Sequence, residues 1–180
     1  METEIRVHEF GLFKGVDDII QGVFARSGGT SVKPFDSLNV GMNSGDDSAA
    51  IAVNRKRIIM KMGLKPLIFL NQVHSDKIKV LKKDDPQFSL EFEPGKESYT
   101  ADAIITDMKG VFLVIQVADC QAVMLADPKK EVVANIHSGW RGSIKNIIGK
   151  CVTQMNESFN SNPSDIIAGI SPSLGPCCAE

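Results

Sequence analysis

The sequence predicts an α+β fold, in which one compact domain contains mixed or antiparallel sheets flanked by helices. Short apolar runs of about 4–8 residues, separated by turn residues, outnumber the segments with apolar residues at helical spacing. The chain has 180 residues and is 43% hydrophobic, so it can bury one sizeable core. We therefore expect residues 1–180 to form a single domain.

Composition excludes several classes of protein. The formal net charge of −2 gives no electrostatic reason to expect nucleic acid or an anionic membrane as a partner. The apolar runs are too short to cross a bilayer, and the N-terminus lacks the apolar stretch of a signal peptide. The four cysteines show no disulfide spacing, so thiols or metal ligands are expected. A cytoplasmic location follows as the expectation.

The first third of the chain should contain early strands, a polar loop and one helix. Residues 5–25 carry short apolar runs, and residues 26–30 and 37–47 are glycine-punctuated loops. Helical spacing of apolar residues predicts a helix over Ser48–Met62, with N-cap candidates before it and Gly63 after it. The basic run Asn54–Arg57 is expected on the solvated face of this helix.

Later apolar runs predict seven strands: Leu67–His74, Lys77–Lys82, Ala101–Thr106, Val111–Val117, Ala122–Ala126, Glu131–His137 and Ile166–Ile170. We expect a tight turn near Ser75 to join the first two as a hairpin, and turns at 109–110 and 127–130 to join later pairs. Residues 83–100 read as a surface excursion. The strand at Ile166–Ile170 should be buried.

A second helix is predicted over Ser143–Phe159. Its apolar stripe consists of Ile144, Ile147, Ile148, Cys151, Val152, Met155 and Phe159. The stripe places Cys151 in the core. Beyond the last strand, a Gly-Pro turn and two cysteines resemble the start of further structure, so the chain is expected to lack its C-terminal part.

Three potential metal ligands each stand at the end of a strand-like apolar run: His74, Cys120 and His137. Functional groups are commonly presented where a rigid scaffold ends. Two imidazoles and one thiolate would leave a fourth position on zinc open, which is the pattern of a catalytic site. The ligands are too far apart in sequence for their spacing to support the site by itself.

Neighbouring residues strengthen this prediction. Gln72 lies on the same face of its strand as His74, which makes that face polar. Asp119 places a charge in an apolar stretch, where it needs a partner or a function. Arg141 follows Gly139 and could hold a phosphate or carboxylate, or it could simply pack on Trp140 at the surface. The residues alone leave these alternatives open.

Several short motifs occur in an order that resembles the YfiH-like family, also labelled the multicopper polyphenol oxidase or laccase-domain family. They are Arg26–Gly29, Ser37–Asn39, Gly45–Asp47, Asn71–His74, Ala101–Ala103, Ala118–Cys120, His137–Gly142 and Gly175–Cys178. Ser138 replaces the family's usual alanine, and Gln121-Ala122 replaces its Leu-Pro. Members of the family continue for several dozen residues beyond the final motif.

The resemblance implies a layered α/β/β/α fold and a metal site on His74, Cys120 and His137. It also implies purine nucleoside phosphorylase activity on adenosine, inosine and methylthioadenosine, with adenosine deamination as a second activity. Zinc is the expected metal, and copper could compete for the same ligands. The partners would be a purine nucleoside and phosphate, and the oligomeric state stays open.

Within this hypothesis Asp119 or Asp76 would transfer protons, and Arg26 and Arg141 would bind phosphate.

One alternative is a cysteine hydrolase or amidase in which Cys120 is the nucleophile and His137 or His74 its base. Copper-dependent phenol oxidation is a weaker alternative, because three histidines are too few for several coppers. A fourth possibility is a remnant without enzymatic activity.

Overall fold

A computed structural model describes residues 4–16, 18–85, 97–175 and 177–178. Within these ranges it contains ten strands and three α-helices. The strands are β1 (Val7–His8), β2 (Val23–Phe24), β3 (Leu67–Asn71), β4 (Ile78–Leu81), β5 (Glu97–Thr100), β6 (Ala103–Thr106), β7 (Phe112–Val114), β8 (Gln121–Asp127), β9 (Val132–Ser138) and β10 (Ile167–Ile170). The helices are α1 (Ser48–Lys61), α2 (Trp140–Ile144) and α3 (Ile147–Phe159).

The strands form three sheets. A five-stranded sheet has the order β10-β8-β9-β6-β4 and is antiparallel except for the parallel pair β4–β6. A parallel three-stranded sheet has the order β5-β3-β7, and β1 pairs with β2 as a separate antiparallel ribbon. This mixed architecture confirms the predicted α+β class.

The predicted hairpin between the strands around Ser75 is wrong. β3 lies in the three-stranded sheet, whereas β4 pairs with β6 in the five-stranded sheet. The turn at 109–110 likewise connects β6 and β7, which belong to different sheets. Residues Leu67–Leu70 and all of β6 are buried, as expected for strands covered on both faces. Burial on both faces erases the alternation that would have indicated their partners.

The β8–β9 hairpin agrees with the prediction. Its turn is held by Asp127, whose Oδ1 accepts hydrogen bonds from the backbone N–H groups of Lys129 and Lys130. The last strand was expected to be buried, but β10 is an edge strand and Ile170 is 54% exposed. The excursion predicted over residues 83–100 contains β5, and its residues 86–96 lie outside the described part of the chain.

Helix α1 follows its prediction closely, with the Asp47 side chain accepting from Ala49 N at the N-terminus. The expectation that Asn54–Arg57 is solvated is wrong for Asn54 and Arg55, whereas Lys56 is exposed and Arg57 is partly buried. Asn54 is 0% and Arg55 3% exposed. The Arg55 guanidinium lies 3.9 Å from the centre of the Phe69 ring and donates to Val40 O. The loop before α1 folds back over this face and buries it.

The second predicted helix is two helices. Asn146 adopts a left-handed conformation with φ 56°, and its side chain accepts from Gly149 N to begin α3. Ile147, Cys151 and Met155 are buried in α3 and pack against the five-stranded sheet. Ile144, assigned to the same stripe, is 77% exposed in α2. No helix among the described residues has the length and apolar character needed to cross a membrane.

Asn54 provides a test of how the loop before α1 is held. Its Nδ2 donates to Ser31 Oγ, Ser37 O and Asn39 O, and its Oδ1 accepts from Thr30 N. We expect Asn54→Ala to lower the free energy of unfolding by more than about 2 kcal/mol, since each orphaned buried partner costs ~1–3 kcal/mol. Urea unfolding measures the change. Lys56→Ala, at an exposed position of the same helix, is the control, and equal losses in both variants would contradict this account.

Candidate metal centre

The structure brings the three sequence-predicted ligands together. The ligand atoms of His74, Cys120 and His137 all lie within 4.8 Å of one another. Strand pairing explains two of the three positions. Gln121 pairs with Ser138 and Ala122 with His137, so Cys120 at the entrance of β8 lies beside the end of β9.

His74 comes from the loop between the two larger sheets. It is exposed and has a left-handed backbone with φ 56°. Its ring stands nearly perpendicular to that of His137, with an interplanar angle of 86° and 4.8 Å between ring centres. Gln72, two residues earlier, exchanges hydrogen bonds with the backbone of Gln116. The polar face noted in the sequence thus fastens this loop to the segment after β7.

Asp102 is the residue of the site that sequence reasoning missed. It is 0% exposed, and its Oδ1 lies 2.9 Å from His137 Nδ1. The same carboxylate accepts hydrogen bonds from the backbone N–H groups of Val73, His74 and Ser75 and from the Ser75 hydroxyl. Burial acts to raise the pKa of Asp102, but the bonds from His137, Ser75 and the backbone lower it to about 2.

A signal for Asp102 was present in the sequence. The residue stands between two alanines at the start of a strand-like run, where a charge requires compensation. Asp119 is exposed at the site. The pKa of the Cys120 thiol is raised, mainly by burial and further by the negative charges of Asp119 and Asp102.

The surroundings of the cluster fit a metal ion. A Cβ atom added to Gly139 would lie 3.1 Å from Cys120 Sγ and 3.3 Å from His74 Cδ2, so only glycine leaves this space open. Because Nδ1 of His137 is occupied by Asp102, its Nε2 is the atom left for an ion. Two imidazoles and a thiolate suit zinc or copper. In the described part of the chain this is the one group of three or more such side chains close enough to share an ion.

The two arginines expected to bind phosphate occupy different positions. Arg26 lines the groove that contains the cluster, and its guanidinium donates to the backbone carbonyl of Asp36 and pairs with that residue's carboxylate at 3.2 Å. Arg141 lies in α2 with its guanidinium carbon 5.1 Å from the centre of the Trp140 ring, and Trp140 is 67% exposed. Arg141 is not among the residues that line the groove.

Asp76, the second candidate for proton transfer, is held by two lysines. Lys150 and Lys145 of the α2–α3 region both pair with its carboxylate. The hydrogen bond from Lys150 lowers the pKa of Asp76 to about 2. This pairing fastens the His74 loop to the helices and disfavours Asp76 as a proton donor. Cys177 and Cys178 are exposed free thiols.

The cluster opens into a groove of about 1100 Å³. Its walls are largely apolar and come from the β1–β2 ribbon, the loop before α1, and strands β7, β8 and β9. Asp119 and Asn135 add polar groups, and the buried Oδ1 of Asn135 has no hydrogen-bond partner in the described structure. The groove exceeds the volume of a small organic ligand.

Comparison with known proteins relates the chain to one family. Residues 20–180 match the family model described as multi-copper polyphenol oxidoreductase laccase. The curated purine nucleoside phosphorylase YlmD of Bacillus subtilis is 36% identical over 164 residues, which cover 89% of this chain and 58% of that protein.

Solved structures agree. Hypothetical protein YfiH of Bacillus licheniformis superposes with a TM-score of 0.79 at 32% identity, covering 88% of this chain and 60% of the other. YlmD from Geobacillus stearothermophilus gives a TM-score of 0.78 at 33% identity, covering 88% and 59%. The chain therefore spans about three fifths of the length of the relatives it matches.

Gly139 offers a steric test of the centre. Its φ of −75° is open to alanine, so Gly139→Ala adds crowding without backbone strain. The exposed His74 can move away from the new methyl group, and this movement would remove one ligand from a bound ion. Overpacking costs ~1–3 kcal/mol, so zinc affinity should fall roughly five- to a hundredfold, as measured by competition with a chromophoric chelator. Gly11→Ala, where an added Cβ has no neighbour within 4 Å, should bind zinc as the unmodified chain does. Unchanged affinity in Gly139→Ala would argue against a metal at this point.

Proposed function

The chain belongs to the multi-copper polyphenol oxidoreductase laccase family, and on that basis we propose that it acts as a zinc-dependent purine nucleoside phosphorylase. The relatives it matches include several curated under the name purine nucleoside phosphorylase. The observation that carries the proposal is the convergence of two imidazoles and a thiolate on the wall of a groove large enough for a nucleoside.

His74, Cys120 and His137 would hold the ion. Zinc bound there would supply Lewis acidity to polarise a bond or activate a water molecule. The protein's own part is to fix the ligands before binding. Asp102 orients His137, the register of β8 and β9 sets Cys120, and Gly139 keeps the space between them free.

Phosphorolysis requires a phosphate oxygen to attack the anomeric carbon while the glycosidic bond breaks. A cation must offset the phosphate charge close to the ribose. Arg26 is the candidate within the groove, and Arg141 is the candidate on the helix that follows Gly139. Asp119, exposed beside Cys120, is the side chain we assign to protonation of the departing purine, and it would take that proton from water or from the protonated phosphate.

We propose adenosine, inosine and methylthioadenosine as substrates, with adenosine deamination as a second activity. In deamination, water attacks C6 of adenine and a proton must reach the leaving amine. Asp119 is the side chain we assign to that transfer as well. The two reactions would share the ligands and differ in their need for the phosphate-binding arginine.

The two alternatives have less support. A cysteine hydrolase needs a thiolate, whereas burial, Asp119 and Asp102 raise the pKa of Cys120 and favour the thiol in the absence of a cation. Multicopper oxidation needs several copper sites, and the described residues form a single cluster of potential ligands. Copper in place of zinc on His74, Cys120 and His137 would still satisfy the ligand chemistry.

Cys120→Ser tests whether the thiolate serves as a ligand. A serine hydroxyl is not ionised at neutral pH and binds zinc poorly. Metal content and nucleoside phosphorolysis should fall together by at least about tenfold, because loss of a group that merely orients a ligand already costs ~10–100-fold. Metal analysis and a coupled assay of purine release with inorganic phosphate measure both. Cys177→Ser, which changes an exposed thiol, should alter neither. Full metal retention with lost turnover would favour the cysteine nucleophile.

Paired substitutions of Arg26 and Arg141 identify the phosphate-binding cation. Loss of a charge-assisted contact worth ~1.5–3 kcal/mol should raise the phosphate KM and lower kcat/KM for phosphorolysis by about ten- to a hundredfold. Deamination, which needs only water, should change much less. We expect this selective loss from Arg26→Ala or Arg141→Ala, and lysine at the responsible position should restore part of it. Equal damage to both reactions would assign that arginine a supporting role.

A further inference from the structure

We propose that Asp102 is a positioning residue for the metal centre, and that its single carboxylate sets the geometry of both histidine ligands and the tautomer of one of them. The inference rests on the metal-binding part of the proposed function and is independent of which reaction the centre performs. Asp102 is placed to act through His74 and His137, since it lies behind both of them and out of contact with solvent.

The two oxygens of Asp102 divide their contacts between the two ligands. Oδ1 lies 2.9 Å from His137 Nδ1 and accepts from His74 N, also at 2.9 Å. Oδ2 accepts from Ser75 N and Ser75 Oγ, both at 2.7 Å, and from Val73 N at 3.3 Å. The three consecutive N–H groups hold the left-handed conformation of His74. The carboxylate therefore orients one ligand through its ring and the other through its backbone.

Backbone pairing fixes the carboxylate itself. Ala103 of β6 pairs with Ile136 of β9, so Asp102 is adjacent to His137 across the sheet. His137 N donates to Asp102 O at 2.7 Å, and Asp102 N donates to Lys77 O at 3.0 Å. Asp102 thus has little freedom to move, and groups bound to it inherit that rigidity.

The contacts determine which nitrogen of His137 carries the proton. The other partners of the carboxylate are backbone N–H groups and the Ser75 hydroxyl, which donates to it. The carboxylate is consequently an acceptor, and His137 Nδ1 must donate to it. Nε2 then keeps its lone pair as a ready ligand, and the adjacent Cε1 lies 3.7 Å from the position of a Cβ atom added to Gly139.

Two measurements test the proposal without using catalysis. Long-range ¹H–¹⁵N spectra of the metal-free, unsubstituted protein at mildly alkaline pH report the tautomer of His137. We expect a proton on Nδ1, and a proton on Nε2 would overturn the proposal without any variant being made. The second measurement is zinc affinity of Asp102→Asn by chelator competition. An asparagine amide cannot accept from all these groups at once, so affinity should fall about 10–100-fold.

Asp127→Asn is the matched control for the loss of a buried carboxylate. Asp127 is 1% exposed, and its Oδ1 accepts from Lys129 N and Lys130 N. The amide oxygen of asparagine can accept the same two bonds, so the β8–β9 turn and register are kept, and neither bond involves a histidine. Zinc affinity should be unchanged in this variant, and a loss equal to that of Asp102→Asn would reduce Asp102 to a purely structural role.

Ser75→Ala removes one contact to the carboxylate and keeps His137 in place, so its effect on zinc affinity should be smaller than that of Asp102→Asn. If the zinc affinities and the His137 tautomer are as expected but nucleosides are not turned over, the proposed reaction is refuted and this inference stands.

Discussion

The antiparallel pairing of β8 with β9 is the constraint on which the rest of the site depends. The two strands pair continuously from Gln121–Ser138 to Asp127–Val132, and their turn is fixed by Asp127. This register places Cys120 beside the end of β9. The next strand, β6, extends the same sheet and brings Asp102 against His137. The ends of the three central strands therefore supply two candidate ligands and the carboxylate behind them. The third candidate ligand, His74, is held in place through the backbone of its loop.

Much of this centre could be predicted from the sequence, because each ligand follows an apolar run whose end is easy to locate. The partners of the strands could not be predicted. β3 and β4 are close in sequence, yet they enter different sheets. Because β3 is buried on both faces, its sequence shows no alternation that would have indicated its partners. Asn54 and Arg55 were misassigned because burial of a helix face depends on a loop that covers it. Asp102 was missed because its partners lie 27 to 35 residues away in the chain.

Family membership and local geometry support different parts of the functional argument. The relatives named purine nucleoside phosphorylase indicate the kind of reaction, while the described residues indicate the chemistry available at one point in the groove. The description of the family emphasises copper, whereas two imidazoles and a thiolate also suit zinc. The chain spans about three fifths of the length of those relatives.

The graded exposure of the three ligands has a kinetic consequence. His137 is 3% exposed and braced from behind, Cys120 is half-buried, and His74 faces solvent on a loop. Of the three candidate ligands, His74 would therefore be the one that an ion from solvent reaches first, and His137 the one it reaches last. Because Asp102 and Gln72 fasten the loop that carries His74, the rate of ion exchange would depend on rotation of the exposed imidazole, while the equilibrium affinity would depend on the sheet beneath.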